Sequence, residues 1–453
     1  MARHRDGSLS EHPREDGLTA LERRVSQRVA ERETELVELL RSLINFNTIT
    51  HSDGAPARQE AELQQLLAAR LERCGAQATL FEPDRTALGD RLIVPERFSF
   101  AGRPQLVARF AGAGGGRTLL LNGHIDVVDA EPYAAWSRDP FVASIHGGAV
   151  WGRGACDMKG GVACMVIAAE VLAELDAPLA GDLVVNTVTD EESTGAGGLA
   201  AARMLKADAA IVPEPSSLQV AVACRGSLLL ALTVEGRPGH AGTPPGDPAL
   251  GGAVNAVEKT AYMIEALRRL REEWALRPPH PYLAAADCVP TVISGGEWIV
   301  SYPGRCRLEC HLEYLPTPEG GDPAPRVRRE VEEWIARAAA ADTWLRERPP
   351  AVEWLGGSVP PAQVSPDEPI VQTLIGVERA AGRAGRISGF DNWHDGAWLI
   401  LEAGIPTVCF GPRGLSVAHT VDEHVPIADL VSCAQAIALS ALRFCGVANA
   451  SPV

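Results

Sequence analysis

The chain of 453 residues is too long for one ordinary hydrophobic core, so we expect two domains. Hydrophobic residues make up 46% of the sequence and charged residues 22%, proportions that are typical of a globular protein. The formal net charge of −16 argues against nucleic acid and anionic membranes as partners, because both of these bind basic surfaces.

The ends of the chain and its cysteines indicate the compartment. Residues 1–20 are polar and charged and lack the apolar core of a secretory signal, so we predict a disordered tail. No apolar run reaches the length of about 18 residues that a membrane-spanning helix needs. The ten cysteines are scattered without a CxxC spacing, which indicates neither a thiolate zinc site nor a disulfide framework. We therefore expect a reducing, cytoplasmic location.

The N-terminal part of the chain predicts both helices and strands. Apolar residues recur at helical spacing over 21–43, and a second amphipathic helix is predicted over 58–75. Short strands are predicted at 77–81 and 105–110. The segment 118–128, TLLLNGHIDVV, predicts a buried strand that carries two polar residues near its end. This mixture is typical of an α/β domain.

Three buried strands each carry acidic or histidine side chains to one end. The first contains His124 and Asp126, whose side chains share a face because they are two residues apart. The third, 209–214, ends at Glu214. The second, 183–188, is followed by three consecutive acids, Asp190, Glu191 and Glu192. Carboxylates so close together repel each other unless a cation neutralises them, so the recurrence favours a metal site over a solvated acidic turn.

Another acid, Asp157, lies in a glycine-rich loop between the first two of these strands. The segment 152–161, GRGACDMKGG, contains four glycines that permit tight turns around it. A helix is predicted to follow over 162–175. An acid near the start of a helix is also favoured by the helix dipole, which is the alternative explanation for Asp157.

From residue 228 the pattern changes to the alternation of an antiparallel sheet. A long helix is predicted over 255–273, three strands follow before 316, and a second helix is predicted over 328–341. This succession predicts a small α+β domain, 228–344, inserted into the first. A proline-rich link, 349–369, is expected to lead the chain back.

Eight segments resemble the co-catalytic zinc amidohydrolases that include acetylornithine deacetylase, succinyl-diaminopimelate desuccinylase, aminoacylase and glutamate carboxypeptidase. They are NGHIDVV, WGRGACDMKGG, TDEESTG, the Glu214–Pro215 pair, GRPGHAGTPPGDPALGGAVNAV, GGEWIVSYPGRC, GIPTVCFGP and AHTVDEHV, in family order between residues 36 and 442. The resemblance implies an α/β, zinc-exopeptidase-like catalytic domain, a mixed sheet flanked by helices, over 21–227 and 345–453. It implies that the inserted domain 228–344 is ferredoxin-like and acts in dimerisation and as a lid.

The resemblance also implies two zinc ions per subunit, with cobalt or manganese as possible substitutes. Asp157 would bridge the two ions. His124 and Glu214 would complete one site, and Glu192 and His419 the other. Three carboxylates balance three of the four positive charges, so one bridging hydroxide would make the cluster neutral.

Three further residues acquire catalytic roles through the resemblance. Glu191 would be the general base that takes a proton from the bridging water and passes it to the leaving amine. Asp126 would orient the imidazole of the ligand His124. His240 would reach the active site of the partner subunit of a homodimer and stabilise the oxyanion. The alternative for His240 is a loop residue that is bonded only to backbone.

The implied activity is hydrolysis of the amide bond of a small N-acyl amine or N-acyl amino acid. One alternative is a metallo-dipeptidase or carboxypeptidase that uses the same site. An alternative of another class is a metal-free, non-catalytic binding protein of the same fold, which we disfavour because every ligand position and the general base are present.

Two departures from the family bear on the substrate. Many relatives hold a substrate carboxylate with an asparagine before the paired glycines of the inserted domain and an arginine on a later strand. Here Val289 stands near the asparagine position, and the strand 310–316, CHLEYLP, has no arginine. These departures argue against recognition of an α-carboxylate. The aromatic and polar segment 389–396, GFDNWHDG, is predicted to form part of the substrate pocket.

Overall fold

The structure, a computed structural model, describes residues 17–50, 56–92, 94–356 and 358–448. Most of the predicted disordered tail lies outside the described residues. The helices of the described residues are α1 (Ala20–Glu31), α2 (Glu33–Ile44), α3 (Glu60–Arg73), α4 (Lys159–Glu174), α5 (Ala196–Ala202), α6 (Ala256–Ala275), α7 (Ala324–Ala341), α8 (Pro369–Ala380), α9 (Gly396–Leu401) and α10 (Ile427–Cys445).

The strands fall into one large sheet and three smaller ones. They are β1 (Gln77–Phe81), β2 (Gln105–Phe110), β3 (Leu119–His124), β4 (Ser144–His146), β5 (Ala149–Trp151), β6 (Leu183–Val188), β7 (Ala209–Val212), β8 (Val220–Cys224), β9 (Gly226–Glu235), β10 (Gly239–His240), β11 (Asp287–Gly295), β12 (Ser301–Tyr302), β13 (Arg305–Tyr314), β14 (Ala351–Trp354), β15 (Ala362–Gln363), β16 (Ile387–Phe390), β17 (Thr407–Cys409) and β18 (His424–Pro426).

The large sheet has the order β1-β2-β6-β3-β7-β17-β8-β15, and β16 also pairs with β8. The strands β6, β3, β7 and β17 are parallel, whereas β2 pairs antiparallel with β6. Helices α3, α4, α5, α9 and α10 contact its strands. The predicted fold class, a mixed sheet flanked by helices, is therefore confirmed.

The three central strands β3, β6 and β7 are buried at every residue, as expected of parallel strands that are covered on both faces. Helix α4 packs close to this part of the sheet, and all but its last two residues are buried. A Cβ atom at Gly161 would lie 2.1 Å from the carbonyl oxygen of Pro213. Only glycine therefore lets α4 approach the end of β7, where Glu214 follows.

Helix α10 has the length and the apolar composition of a membrane-spanning helix, but 67% of its apolar stretch is buried within the protein. It packs against α1, α4 and α8. These contacts make it a core helix of the catalytic part of the fold.

A second sheet, with the order β11-β13-β9-β14, is antiparallel throughout. Helices α6 and α7 pack with it around a separate hydrophobic core. The main elements follow each other as β-α-β-β-α-β, the succession of ferredoxin-like domains.

Strand β14 differs from the sequence prediction. We expected a link at 349–369 and an end of the inserted domain at 344, but β14 pairs with β9 as the outer strand of this sheet. The prolines on either side of the strand hid it, because edge strands tolerate neighbouring prolines that a central strand would not.

Candidate metal centre

The polar residues that follow the buried strands meet at one edge of the large sheet. His124 is the last residue of β3, Glu191 and Glu192 come shortly after β6, and Glu214 comes shortly after β7. The three strands are parallel, so their carboxyl ends lie together. Asp157 reaches the same place from the loop between β5 and α4.

Two imidazoles and three carboxylates form the centre of this cluster. The Nε2 atom of His124 lies 3.3 Å from Asp157 Oδ1 and 3.4 Å from Glu214 Oε1. The Nε2 atom of His419 lies 3.3 Å from Asp157 Oδ2 and 2.9 Å from Glu192 Oε2. The two carboxylate oxygens of Asp157 thus face different imidazoles.

Among the described residues, two groups have the spacing of metal ligands. In each group the potential ligand atoms all lie within 4.8 Å of one another. The groups are His124, Asp157 and Glu214, and Asp157, Glu192 and His419. Asp157 is the member they share. This grouping matches the expected arrangement of ligands, and the role of each residue as a ligand remains a prediction.

The electrostatics of the cluster are those of a site built for cations. Burial raises the pKa of Glu214 to about 8, and the nearby carboxylate of Asp157 acts in the same direction. Burial alone would lower the pKa of His124, but the carboxylates of Glu214 and Glu191 outweigh it and raise that pKa well above its ordinary value. Two imidazoles and three carboxylates fit zinc, cobalt or manganese.

Glu191 lies beside this cluster without belonging to either ligand group. Its Oε2 atom is 3.9 Å from His124 Nε2. Burial raises the pKa of Glu191 well above its ordinary value, and the negative charges of Glu214 and Asp395 add to this effect. The carboxylate is therefore close to the predicted ligands, and its role as the general base stays a prediction.

Asp126 lies beside His124, and its role in orienting that imidazole stays a prediction. Strand β3 ends at His124, so Asp126 lies just beyond the strand. The Nδ1 atom of His124 lies 2.9 Å from the backbone carbonyl oxygen of Asp126 and 3.8 Å from its carboxylate. The carboxylate instead accepts the backbone N–H groups of Glu191 at 3.2 Å and Glu192 at 3.1 Å. Asp126 is thus bonded both to His124 and to the backbone of Glu191 and Glu192.

His240 is bonded within its own loop in this chain. It is exposed and forms the short strand β10, which pairs with β12. Its Nδ1 atom accepts the backbone N–H of Gly242 at 3.0 Å. Among the described residues, His240 belongs to neither group of potential metal ligands.

Sequence reasoning assigned no individual role to two residues that shape the site, Asp190 and Glu423. Asp190 adopts a φ of 65°, and its carboxylate accepts the hydroxyl of Ser193 at 2.6 Å while its carbonyl oxygen accepts the N–H of Gly195 at 2.8 Å. This turn points Glu191 and Glu192 toward the cluster. The signal was an aspartate, which tolerates this conformation, followed by Ser, Thr and Gly.

The segment 389–396, predicted to line the pocket, packs behind the cluster against α5. A Cβ atom at Gly198 would lie 1.9 Å from Asp395 Oδ1, so α5 and the segment 389–396 are in close contact. Asp395 is buried, and its two carboxylate oxygens have no hydrogen-bond partner among the described residues. Burial raises its pKa well above the ordinary value. The prediction that this segment contacts substrate stays open.

Known proteins resemble this chain over most of its length. Two N-formyl-4-amino-5-aminomethyl-2-methylpyrimidine deformylases are similar: one from Bacillus subtilis is 29% identical over 440 residues, 93% of this chain and 97% of the relative. The other, from Halalkalibacterium halodurans, is 30% identical over 435 residues, 92% and 96% of the two chains. An acetylornithine deacetylase from Myxococcus xanthus is 34% identical over 347 residues, 75% and 84% of the two chains.

Solved structures share the fold. A tripeptidase from Staphylococcus aureus has a TM-score of 0.69 at 19% identity, with 90% of this chain and 98% of that chain covered. A Bacillus subtilis protein described as a dinuclear metal binding peptidase has a TM-score of 0.60 at 14% identity, with 92% and 99% covered. The sequence also matches the model of peptidase family M20/M25/M40 over residues 120–443. The chain therefore belongs to this family, and it is a metal-dependent hydrolase of amide bonds.

Proposed function

We propose that this enzyme is a deformylase of a small N-formyl amine that carries an aminopyrimidine ring. The hydrolytic part of this proposal is carried by Asp157, which faces two imidazoles with its two oxygens, as a residue shared between two metal ions must. The choice of substrate is supported by the two deformylases, which resemble the chain over more than nine-tenths of its length. The segment 310–316 agrees with it, since it offers no arginine for a substrate carboxylate.

We infer that two zinc ions occupy the cluster, with cobalt or manganese as substitutes. His124 and Glu214 would hold one ion, Glu192 and His419 the other, and Asp157 both. When bound, such ions polarise the acyl carbonyl and lower the pKa of the attacking water. The likeness to a dinuclear metal binding peptidase supports the number of ions.

The residues of this chain then carry out the proton transfers of the hydrolysis and position the groups involved. Glu191 accepts a proton from the water that attacks the formyl carbon. As the carbon–nitrogen bond breaks, the same proton passes to the amine nitrogen. One water is consumed, and after the formic acid loses its proton to the amine the products are formate and the protonated amine. Asp126 holds the backbone of Glu191 and Glu192 by two hydrogen bonds and so keeps the base in place.

His240 is proposed to donate a hydrogen bond to the oxyanion in the active site of a partner subunit. Its exposure and its distance in sequence from the cluster support contact with a second chain. Strand β11 supports the same conclusion. It lies at the edge of its sheet, and apolar side chains are exposed both in the strand and just after it. Trp298 is 69% exposed and Ile299 is 94% exposed, next to the strand that pairs with β10. We therefore propose a homodimer in which the inserted domains pair.

A cytoplasmic location is part of the proposal. All ten cysteines are free, and all but Cys74 are buried, as expected in a reducing compartment.

The test is a panel of substrates offered to the zinc-loaded enzyme after its metal content has been measured. The panel contains N-formyl-4-amino-5-aminomethyl-2-methylpyrimidine, N-acetylornithine, N-succinyl-diaminopimelate and several dipeptides. We expect the formylpyrimidine to give the highest kcat/KM, with formate as a product. A preference for dipeptides, or no hydrolysis of any compound at full metal content, would contradict the proposal.

A further inference from the structure

A fully buried carboxylate, Glu423, lies directly behind Asp157. It comes four residues after His419, on the segment that leads into β18. Its Oε1 atom accepts the backbone N–H groups of Cys156 at 2.9 Å and Asp157 at 3.1 Å. Its Oε2 atom accepts the backbone N–H of Gly154 at 3.0 Å and the guanidinium Nη1 of Arg153 at 2.8 Å.

Each oxygen of the Glu423 carboxylate accepts two of these four hydrogen bonds, which is close to the most that it can accept. Its charge is balanced by Arg153, whose side chain is also buried. Arg153 is held in turn by the backbone carbonyl oxygen of Asp129 at 3.0 Å. A buried carboxylate with one partner missing is costly, whereas this one is fully satisfied. The loop that carries Asp157 is thus folded around Glu423.

We propose that Glu423 is a positioning residue that fixes Asp157 between the two metal positions and ties it to the His419 segment. The inference rests on the proposed function in requiring two metal ions. Glu423 touches neither predicted ion, and it acts through the backbone of Asp157. The backbone N–H of Gly152 also donates to the carbonyl oxygen of Glu423 at 3.0 Å, so the two segments are joined by side chain and backbone alike.

The position of Asp157 gives this proposal a distinctive consequence. Asp157 is the one residue common to both ligand groups, whereas Glu192 belongs to only one of them. Loosening the Asp157 loop should therefore weaken the binding of both ions together. Removing the carboxylate of Glu192 should weaken one ion far more than the other.

The test replaces Glu423 by glutamine and titrates Zn²⁺ into the metal-free protein by calorimetry. Glu423→Gln keeps the shape but turns an NH₂ group toward two donors, so the loop can no longer close around it. Loss of groups that orient metal ligands typically costs about 10- to 100-fold in metal affinity, and we expect a loss of this size for both ions. The d–d absorption of Co²⁺ gives a second readout, which should show altered geometry at both sites.

The matched control is Glu378→Gln on α8. Glu378 is also buried, and it accepts two hydrogen bonds from Arg383, at 2.6 and 2.8 Å, away from the cluster. Both variants should lower the Tm, but Glu378→Gln should leave both metal affinities unchanged.

Unchanged affinities in Glu423→Gln, beside a wild type that binds two ions, would overturn the inference while leaving the proposed function intact. A wild type that binds no Zn²⁺ would instead overturn the proposed function. If Glu423→Gln does not fold, Glu423→Asp serves in its place, because it keeps the charge opposite Arg153 and is one methylene too short to reach Cys156 and Asp157. It should lose affinity for both ions, and equal affinity to the wild type would contradict the proposal.

Discussion

The metal cluster and the loop of His240 are organised in opposite ways. Asp157, Glu214 and His124 are buried in one chain, and of the predicted ligands His419 is exposed. The backbone N–H of Asp157 donates to Glu423, and that of Glu191 donates to Asp126. His240 is exposed, sits on a two-residue strand, and adjoins apolar side chains that are open to solvent. The predicted metal ligands thus meet within a single chain, whereas the proposed oxyanion donor His240 depends on a second chain in our proposal.

The largest effect is expected when the proposed proton acceptor, Glu191, is removed from beside the metal cluster. Glu191→Gln should keep both metal ions and lower kcat by roughly 10²- to 10⁴-fold, the size of a general acid–base contribution. Steady-state kinetics on enzyme of measured metal content provide the test. Glu192→Gln is the matched control, since it should reduce the metal content. Near-normal turnover of Glu191→Gln with both ions bound would show that the roles are assigned wrongly.

The second prediction concerns His240, the proposed oxyanion donor. His240→Ala should lower kcat by about 10²- to 10³-fold, as expected for loss of one oxyanion donor, without changing metal content. Mixing this variant with Glu191→Gln and allowing subunits to exchange should restore activity, because one site of the mixed dimer has both residues intact. Exchange without any recovery would place His240 in the site of its own subunit, or outside the mechanism.

The third prediction breaks the contact between chains. Ile299→Asp places a charge in the exposed apolar segment after β11, so the protein should elute as a monomer in size-exclusion chromatography with light scattering. Its kcat should fall no further than that of His240→Ala, because the same residue is lost from the site. A dimer of unchanged stability would mean that the chains pair through another surface.

The smallest effect is expected far from both regions, at the contact between α1 and α10. Arg443 Nε donates to Glu22 Oε1 at 2.5 Å, and although burial acts to raise the pKa of Glu22, Arg443 outweighs it and lowers that pKa. A lowered pKa means that the stabilisation is present at neutral pH and is lost as the pH falls from the ordinary pKa of a glutamate through the lowered pKa of Glu22. Glu22→Gln should cost about 1 kcal/mol of the free energy of unfolding at pH 7.

Denaturation at several pH values checks this last prediction. The difference between Glu22→Gln and the wild type should shrink as the pH falls toward about 4, the range in which free glutamate is protonated. Metal content and kcat should not change. A difference that grows at low pH would contradict the sign of the effect.

The sequence predicted the parts of the site that depend on strand ends. His124 and Glu214 were found because buried apolar strands lead to them, and parallel pairing then brings them together. The contact of the Asp126 carbonyl with His124 was not predicted, because β3 ends at His124 and not at residue 128, where its apolar pattern ends. Glu423 received no role, although it lies in the segment AHTVDEHV, because its role comes from bonds to a loop some 270 residues earlier. Strand β14 was hidden by flanking prolines.

The central claim, two metal ions that share Asp157, is tested most directly by anomalous diffraction from crystals of the zinc-loaded enzyme at the zinc absorption edge. The account predicts two peaks on either side of the Asp157 carboxylate, one beside His124 and Glu214 and the other beside Glu192 and His419. A single peak, or peaks away from Asp157, would contradict it.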